Sequence, residues 1–146
     1  MDAIVPGYLA CMFTHATELR VRYGETDQMG YVYYGDYAEY FEVGRVEALR
    51  SLGFPYRRIE EEGVMLPVHD MHVKYHQPAR YDDLLTLRTH IEAMPSVRIV
   101  FRYELLNEVG TLLSEANITL VFVDRSTMRP CRAPQALLDA LAPYFV

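Results

Sequence analysis

The chain has 146 residues, 51% of them hydrophobic, with a formal net charge of −6 and a pI near 5.3. That length suits one domain with its own core, and the acidic balance argues against general affinity for nucleic acid or anionic membranes. Cys11 and Cys131 form neither a disulfide framework nor a CxxC pair, and no apolar run approaches the ~18–20 residues that span a bilayer. Asp2 stands where a signal peptide would be basic, and Pro6-Gly7 interrupts the nearby apolar residues, so no export signal is read and a cytoplasmic location is expected.

Residues 1–16 lack clear periodicity and read as an N-terminal arm, followed by a single domain over 17–146. Glu18–Tyr23 is strand-like and runs into a turn holding Thr26-Asp27, then Gly30 and Gly35. Six tyrosines fall between Tyr23 and Tyr40. From Asp36 to Leu52 the pattern is helical: Tyr37, Phe41, Gly44, Ala48 and Leu52 recur at spacings of three and four. Asp36 is placed as N-cap with Glu39 three residues on, a capping-box variant. Gly53 stops the helix, and Pro55 begins a short second one that ends at Gly63.

Strands follow. Val64–His76 is extended up to a break at Pro78. Leu84–Ala93 alternates, with Leu85, Leu87 and Ile91 on one face. Val97–Leu105 sets Val97, Ile99, Phe101 and Tyr103 opposite Arg98, Val100, Arg102 and Glu104. Asn107–Gly110 makes a hairpin turn into Thr111–Val123, and a short helix over Pro134–Leu141 closes the chain. Consecutive strands with tight connections form an antiparallel sheet. Strands of ten or more residues run ~33 Å, while a helix of some seventeen residues is ~25 Å long. The expected packing is a curved sheet wrapped around one central helix. One sheet face stays partly uncovered, which predicts a homo-oligomer with sheets joined edge to edge.

The strand, the Thr-Asp-x-x-Gly-x-Val-Tyr turn and the helix containing Tyr-Phe-Glu-x-x-Arg resemble the hotdog-fold acyl-CoA thioesterases of the 4-hydroxybenzoyl-CoA thioesterase family. The likeness is to the small bacterial branch that includes the Tol–Pal-associated thioesterase. It covers roughly Leu19 to Val123, including Tyr81-Asp82-Asp83, and is sharpest from Tyr23 to Arg45. It implies an α+β hotdog fold with a curved antiparallel five-stranded sheet around one long helix, in a dimer or a dimer of dimers. It also implies hydrolysis of acyl-CoA thioesters, with Asp27 as the catalytic acid. Many members of that branch carry histidine where this chain has Tyr34. The alternatives are a non-catalytic acyl-thioester-binding scaffold or a thioesterase acting on acyl-carrier protein.

The residues keep two readings open. Aspartate is common in turns because its side chain bonds nearby amides; it also serves as general base toward water or as nucleophile on a thioester carbonyl. The leaving thiolate needs no strong general acid, since free thiols ionise near 8.5. Amides around Tyr33–Gly35, at the positive end of the helix, are candidate donors to the carbonyl oxygen, with Tyr34 the single choice by resemblance. Glu42 and Arg45 read as an i,i+3 ion pair, with Glu42 a reserve catalytic acid. Tyr23 and its neighbouring tyrosines either line an acyl pocket or pack the core. Arg98, after Pro95-Ser96, is the expected contact for CoA phosphates by resemblance; Arg102, Lys74 and Arg80 are weaker choices. His69 and His72 face opposite sides of a strand, and His72 and His76 lie ~13 Å apart. No metal site, phosphate loop or cofactor is therefore read.

Overall fold

The computed structural model describes residues 12–145, so most of the expected N-terminal arm lies outside the described residues. Its end does not. The first strand, β1, is Phe13–Arg20, earlier than the expected Glu18–Tyr23, and Phe13 to Ala16 belong to the sheet. Alternation there is masked because Thr14, Ala16, Glu18 and Arg20 face solvent while only Phe13 is fully buried. Tyr23–Glu25 forms a 3-10 turn instead of strand.

Helix α1 is Tyr37–Ser51 and the shorter α2 is Tyr56–Glu61. The extended stretch after them splits at Leu66-Pro67 into β2 (Val64–Met65) and β3 (Val68–Tyr75). Proline has no N–H to give to a ladder, and the Pro67 carbonyl instead takes the Val121 amide at 3.0 Å. β4 (Leu84–Ile91), β5 (Arg98–Leu106) and β6 (Leu112–Val121) follow, then β7 (Val123–Asp124), β8 (Arg129–Pro130) and the closing helix α3 (Gln135–Leu141).

The main sheet is five-stranded and antiparallel, in the order β1-β4-β5-β6-β3, with a small β2-β7-β8 sheet beside it. Its inner face carries Leu85, Leu87, Ile91, Phe101, Tyr103 and Ile118, all buried. α1 packs across that face with Tyr37, Phe41, Gly44, Ala48 and Leu49 buried. Gly44 allows the close approach: a Cβ there would stand 2.5 Å from the Leu87 side chain and 2.7 Å from the Thr89 hydroxyl. This is the hotdog architecture, a sheet curled around one long helix.

The expected Glu42–Arg45 ion pair does not form among the described residues. Glu42 is exposed, while Arg45 is buried beside the Tyr103 and Tyr56 hydroxyls. At one sheet edge, β3 bonds to β6 along one side only, and every residue but Val73 is exposed. Val68, Met71 and Tyr75 are each about half exposed on it.

Candidate active site

The loop that carries Asp27 is closed by its own sequence. Thr26 pairs with Val32, and the Asp27 amide donates to the Tyr31 carbonyl at 2.7 Å. Gly30 returns the chain at φ +78°, in the left-handed region that favours glycine. The Asp27 side chain does what a turn aspartate does: Oδ1 accepts the Met29 amide at 2.9 Å and the Tyr31 amide at 3.2 Å. Its second oxygen, Oδ2, has no hydrogen-bond partner among the described residues. The turn reading thus accounts for one oxygen, which fixes the loop, and the other is left unbonded.

Asp27 is half-buried and borders a pocket of about 340 Å³. Met29 and Tyr31 come from the same loop, Val32, Tyr34 and Tyr37 from the chain entering α1, and the far wall is Tyr75–Pro78 at the end of β3. The aromatic rings lock these parts together. Tyr75 stands edge-on to Tyr37 with centroids 5.0 Å apart, and its hydroxyl donates to the Tyr34 carbonyl at 3.3 Å. The Tyr37 oxygen accepts the Ala79 amide at 3.5 Å. Burial pushes the Tyr37 hydroxyl above the ordinary phenol range, against the pull of that amide, and the Asp27 charge adds to the rise.

The entry to α1 differs from the expected cap. Asp36 occupies the N-cap position, but its side chain makes no capping bond, and the helix is preceded by a 3-10 turn over Tyr34–Asp36. The Tyr33 amide is taken by the Glu25 carbonyl at 2.8 Å and the Asp36 amide by the Tyr33 carbonyl at 2.9 Å. Between them, the amides of Tyr34 and Gly35 have no partner among the described residues. The donors suggested by sequence thus narrow from Tyr33–Gly35 to two. Gly35 is constrained as well: a Cβ would meet the Tyr33 ring at 2.7 Å.

Beneath the loop lies a buried acid that sequence reading missed. Glu25 is 8% exposed. Its Oε1 accepts the Arg22 amide at 2.8 Å and the Tyr40 hydroxyl at 2.9 Å, while Oε2 pairs with the Arg22 guanidinium at 3.2 Å. Burial alone would raise this carboxyl, but the bonds from Arg22 and Tyr40 hold it below the ordinary carboxylate range. A capping-box spacing, Arg22 to Glu25, was the available signal.

The other expected site residues are not brought to this pocket within one protomer. Tyr23 is 78% exposed and packs edge-on against Tyr81, away from the pocket lining. Arg98 is exposed and pairs with Val121, whereas Tyr75 pairs with Ser114, so the two lie ~23 Å apart along the sheet. Of the weaker basic choices, Arg80 touches the pocket lining, with its guanidinium 4.9 Å from the ring centroid of Tyr31. Arg102 is held by Glu92 and Glu104. Tyr75 and the His76–Pro78 wall were not expected at the site; the break at Pro78 was their only trace in the sequence.

Comparison with known proteins agrees with this architecture. The thioesterase-like superfamily model matches residues 21–141. The acyl-CoA thioester hydrolase YbgC of Escherichia coli O6:H1 is 37% identical over 120 residues, 82% of this chain and 90% of its own. The acyl-CoA thioesterase YbgC of Haemophilus influenzae is 32% identical over 123 residues, 84% of this chain and 90% of its own. Among solved structures, the DHNA-CoA thioesterase of Staphylococcus aureus superposes with a TM-score of 0.83 at 34% identity, covering 90% of this chain and 88% of the other. The chain belongs to the thioesterase-like superfamily. Among the described residues, no helix is long and apolar enough to cross a membrane.

Proposed function

We propose that this protein is an acyl-CoA thioesterase that releases free acid and CoA, with Asp27 as general base or nucleophile. The observation that carries the reading is the pocket itself. A carboxylate with one unbonded oxygen borders it, and so does Tyr34, whose amide is the first of two consecutive unpartnered ones in the 3-10 turn leading into α1. As base, Asp27 would take a proton from water as that water attacks the carbonyl carbon. The carbonyl π pair would move to oxygen, toward the Tyr34 and Gly35 amides at the positive end of the helix. Collapse of that oxyanion breaks the C–S bond and the electron pair leaves on sulfur. As nucleophile, Asp27 would attack the carbonyl carbon and expel the CoA thiolate, leaving an acyl anhydride that water then cleaves to free acid and the restored carboxylate. The relatives named for acyl-CoA hydrolysis support this class of substrate.

The active unit would be a symmetric dimer joined along the free edge of β3, since an exposed strand with unpaired backbone groups invites a second copy. Arg80, whose guanidinium lies over the Tyr31 ring of the pocket, is a basic group for CoA phosphates, and in such a dimer Arg98 of the partner subunit would be a second candidate. The direct test is thiol release over short, long and aromatic acyl-CoAs. Turnover of at least one is expected; acyl-CoA that raises Tm without being consumed would make the protein a binder instead.

A further inference from the structure

The pocket wall opposite the Asp27 loop carries an imidazole. β3 ends at Tyr75, and there the alternation of the strand stops: the Leu113 carbonyl accepts both the His76 amide at 2.8 Å and the Gln77 amide at 3.1 Å. Two consecutive amides on one acceptor break the pleat. Tyr75, His76 and Gln77 therefore all border the pocket, where a regular strand would send them to alternate sides.

His76 is oriented from β6. Its Nε2 donates to Glu115 Oε2 at 2.8 Å. A carboxylate only accepts, so Nε2 carries the proton and the lone pair is left on Nδ1. Nδ1 has no hydrogen-bond partner among the described residues. The charged groups around this pair are Lys74 and Glu104, which flank Glu115 on β3 and β5, and Asp27 across the pocket. Tyr34, Tyr37 and Tyr75 add phenols to the same lining. The His76 side chain is 41% exposed, which leaves the imidazole open to proton exchange with solvent.

We propose that His76, held by Glu115, is the base for the hydrolytic half of the reaction, with Asp27 as the nucleophile of the first half; this rests on the thioesterase reading above. Asp27 Oδ2 attacks the carbonyl carbon, the C–S bond breaks with its electron pair on sulfur, and an acyl anhydride remains on Asp27. Water then gives a proton to His76 Nδ1 as its oxygen bonds the acyl carbon. The acyl C–O bond to Asp27 breaks, its electron pair restores the carboxylate, and the free acid leaves. The imidazolium, stabilised by the Glu115 charge, passes its proton to solvent. Imidazole is the side chain suited to such exchange near neutral pH.

The test uses octanoyl-CoA and benzoyl-CoA as probes and His76→Gln as the variant. Glutamine keeps an N–H for Glu115 and removes the acceptor nitrogen. kcat is expected to fall ~10²-fold or more, while the first turnover stays fast, so thiol appears in a burst of about one per active site. The intact protein should then gain the mass of one acyl group that hydroxylamine removes, and the double variant with Asp27→Asn should gain none. The acidic limb of the wild-type kcat profile should vanish with the imidazole. His76→Asn replaces His76→Gln if the latter does not match the wild-type circular dichroism and melting curve. A variant with wild-type kcat, or one whose kcat falls without burst or acyl adduct, overturns the role of His76. A wild type that releases no thiol from either probe overturns the hydrolase reading itself, whatever the variant does.

Discussion

The Tyr40 hydroxyl donates to Glu25 Oε1 at 2.9 Å, across the boundary between α1 and the loop that carries Asp27. Glu25 is held from both sides, because its carbonyl also takes the Tyr33 amide at 2.8 Å. The start of the helix and the start of the Asp27 loop are thus fixed to one residue. Tyr40→Phe leaves a buried carboxylate short of one charge-assisted bond, a loss of about 1.5–3 kcal/mol. Urea or thermal unfolding should show it.

The unpartnered amides can be tested one at a time. Tyr34 is the first residue of a 3-10 turn, where proline is tolerated, and Tyr33 at φ −60°, ψ 133° already has the extended backbone that a following proline demands. Tyr34→Pro removes the N–H; Tyr34→Ala keeps it and removes only the ring. The expected result is a fall in kcat of ~10²–10³ for Tyr34→Pro beyond any effect of Tyr34→Ala. Steady-state thiol release on both variants measures the difference.

Gly44 sets the distance between α1 and the sheet. Alanine is worth about 1 kcal/mol more than glycine within a helix, but its Cβ would press on Leu87, which is fully buried, and on the Thr89 hydroxyl. Overpacking a close-packed core costs about 1–3 kcal/mol, so the clash wins. Gly44→Ala should lower stability in chemical denaturation instead of raising it.

Acid should destabilise the fold through two carboxyls. For Glu104, burial works to raise the carboxyl, yet the hydrogen bond and charge of His90, with Arg102 and Arg88, hold it below the ordinary 4.5. Glu25 is depressed in the same direction. A carboxyl lowered by folding stabilises the native state above its unfolded value and loses that contribution as pH falls through its folded value. Tm should therefore decline as pH drops below about 4.5, and Glu104→Gln should flatten part of that decline.

Much of the fold was legible because the period-two alternation of β4, β5 and β6 survives in residues such as Leu85, Leu87, Ile99, Phe101 and Ile118, which a single buried face demands. β1 was misplaced because its outward positions hold Ala16 among polar residues and its inward ones hold His15 and Thr17, so neither face reads as apolar. The cap at Asp36 followed from spacing alone, whereas the chain enters the helix through a 3-10 turn that spacing does not encode. Asp27 was singled out through its surrounding motif, and the structure sets it at the border of a pocket. The Tyr75–Pro78 wall was not singled out, because it reaches Asp27 only through the sheet order that sets β3 at an edge. Tyr23 and Arg98 look near the site in the sequence pattern, but in one protomer they face elsewhere.

The most direct measurement is thiol release by Asp27→Asn beside its melting curve. Asparagine keeps the Oδ1 acceptor for the Met29 and Tyr31 amides, so the loop should persist and Tm should stay close to wild type. Loss of the carboxylate should cost ~10²–10⁴ in kcat/KM. A folded Asp27→Asn protein that keeps most of its activity would contradict the account.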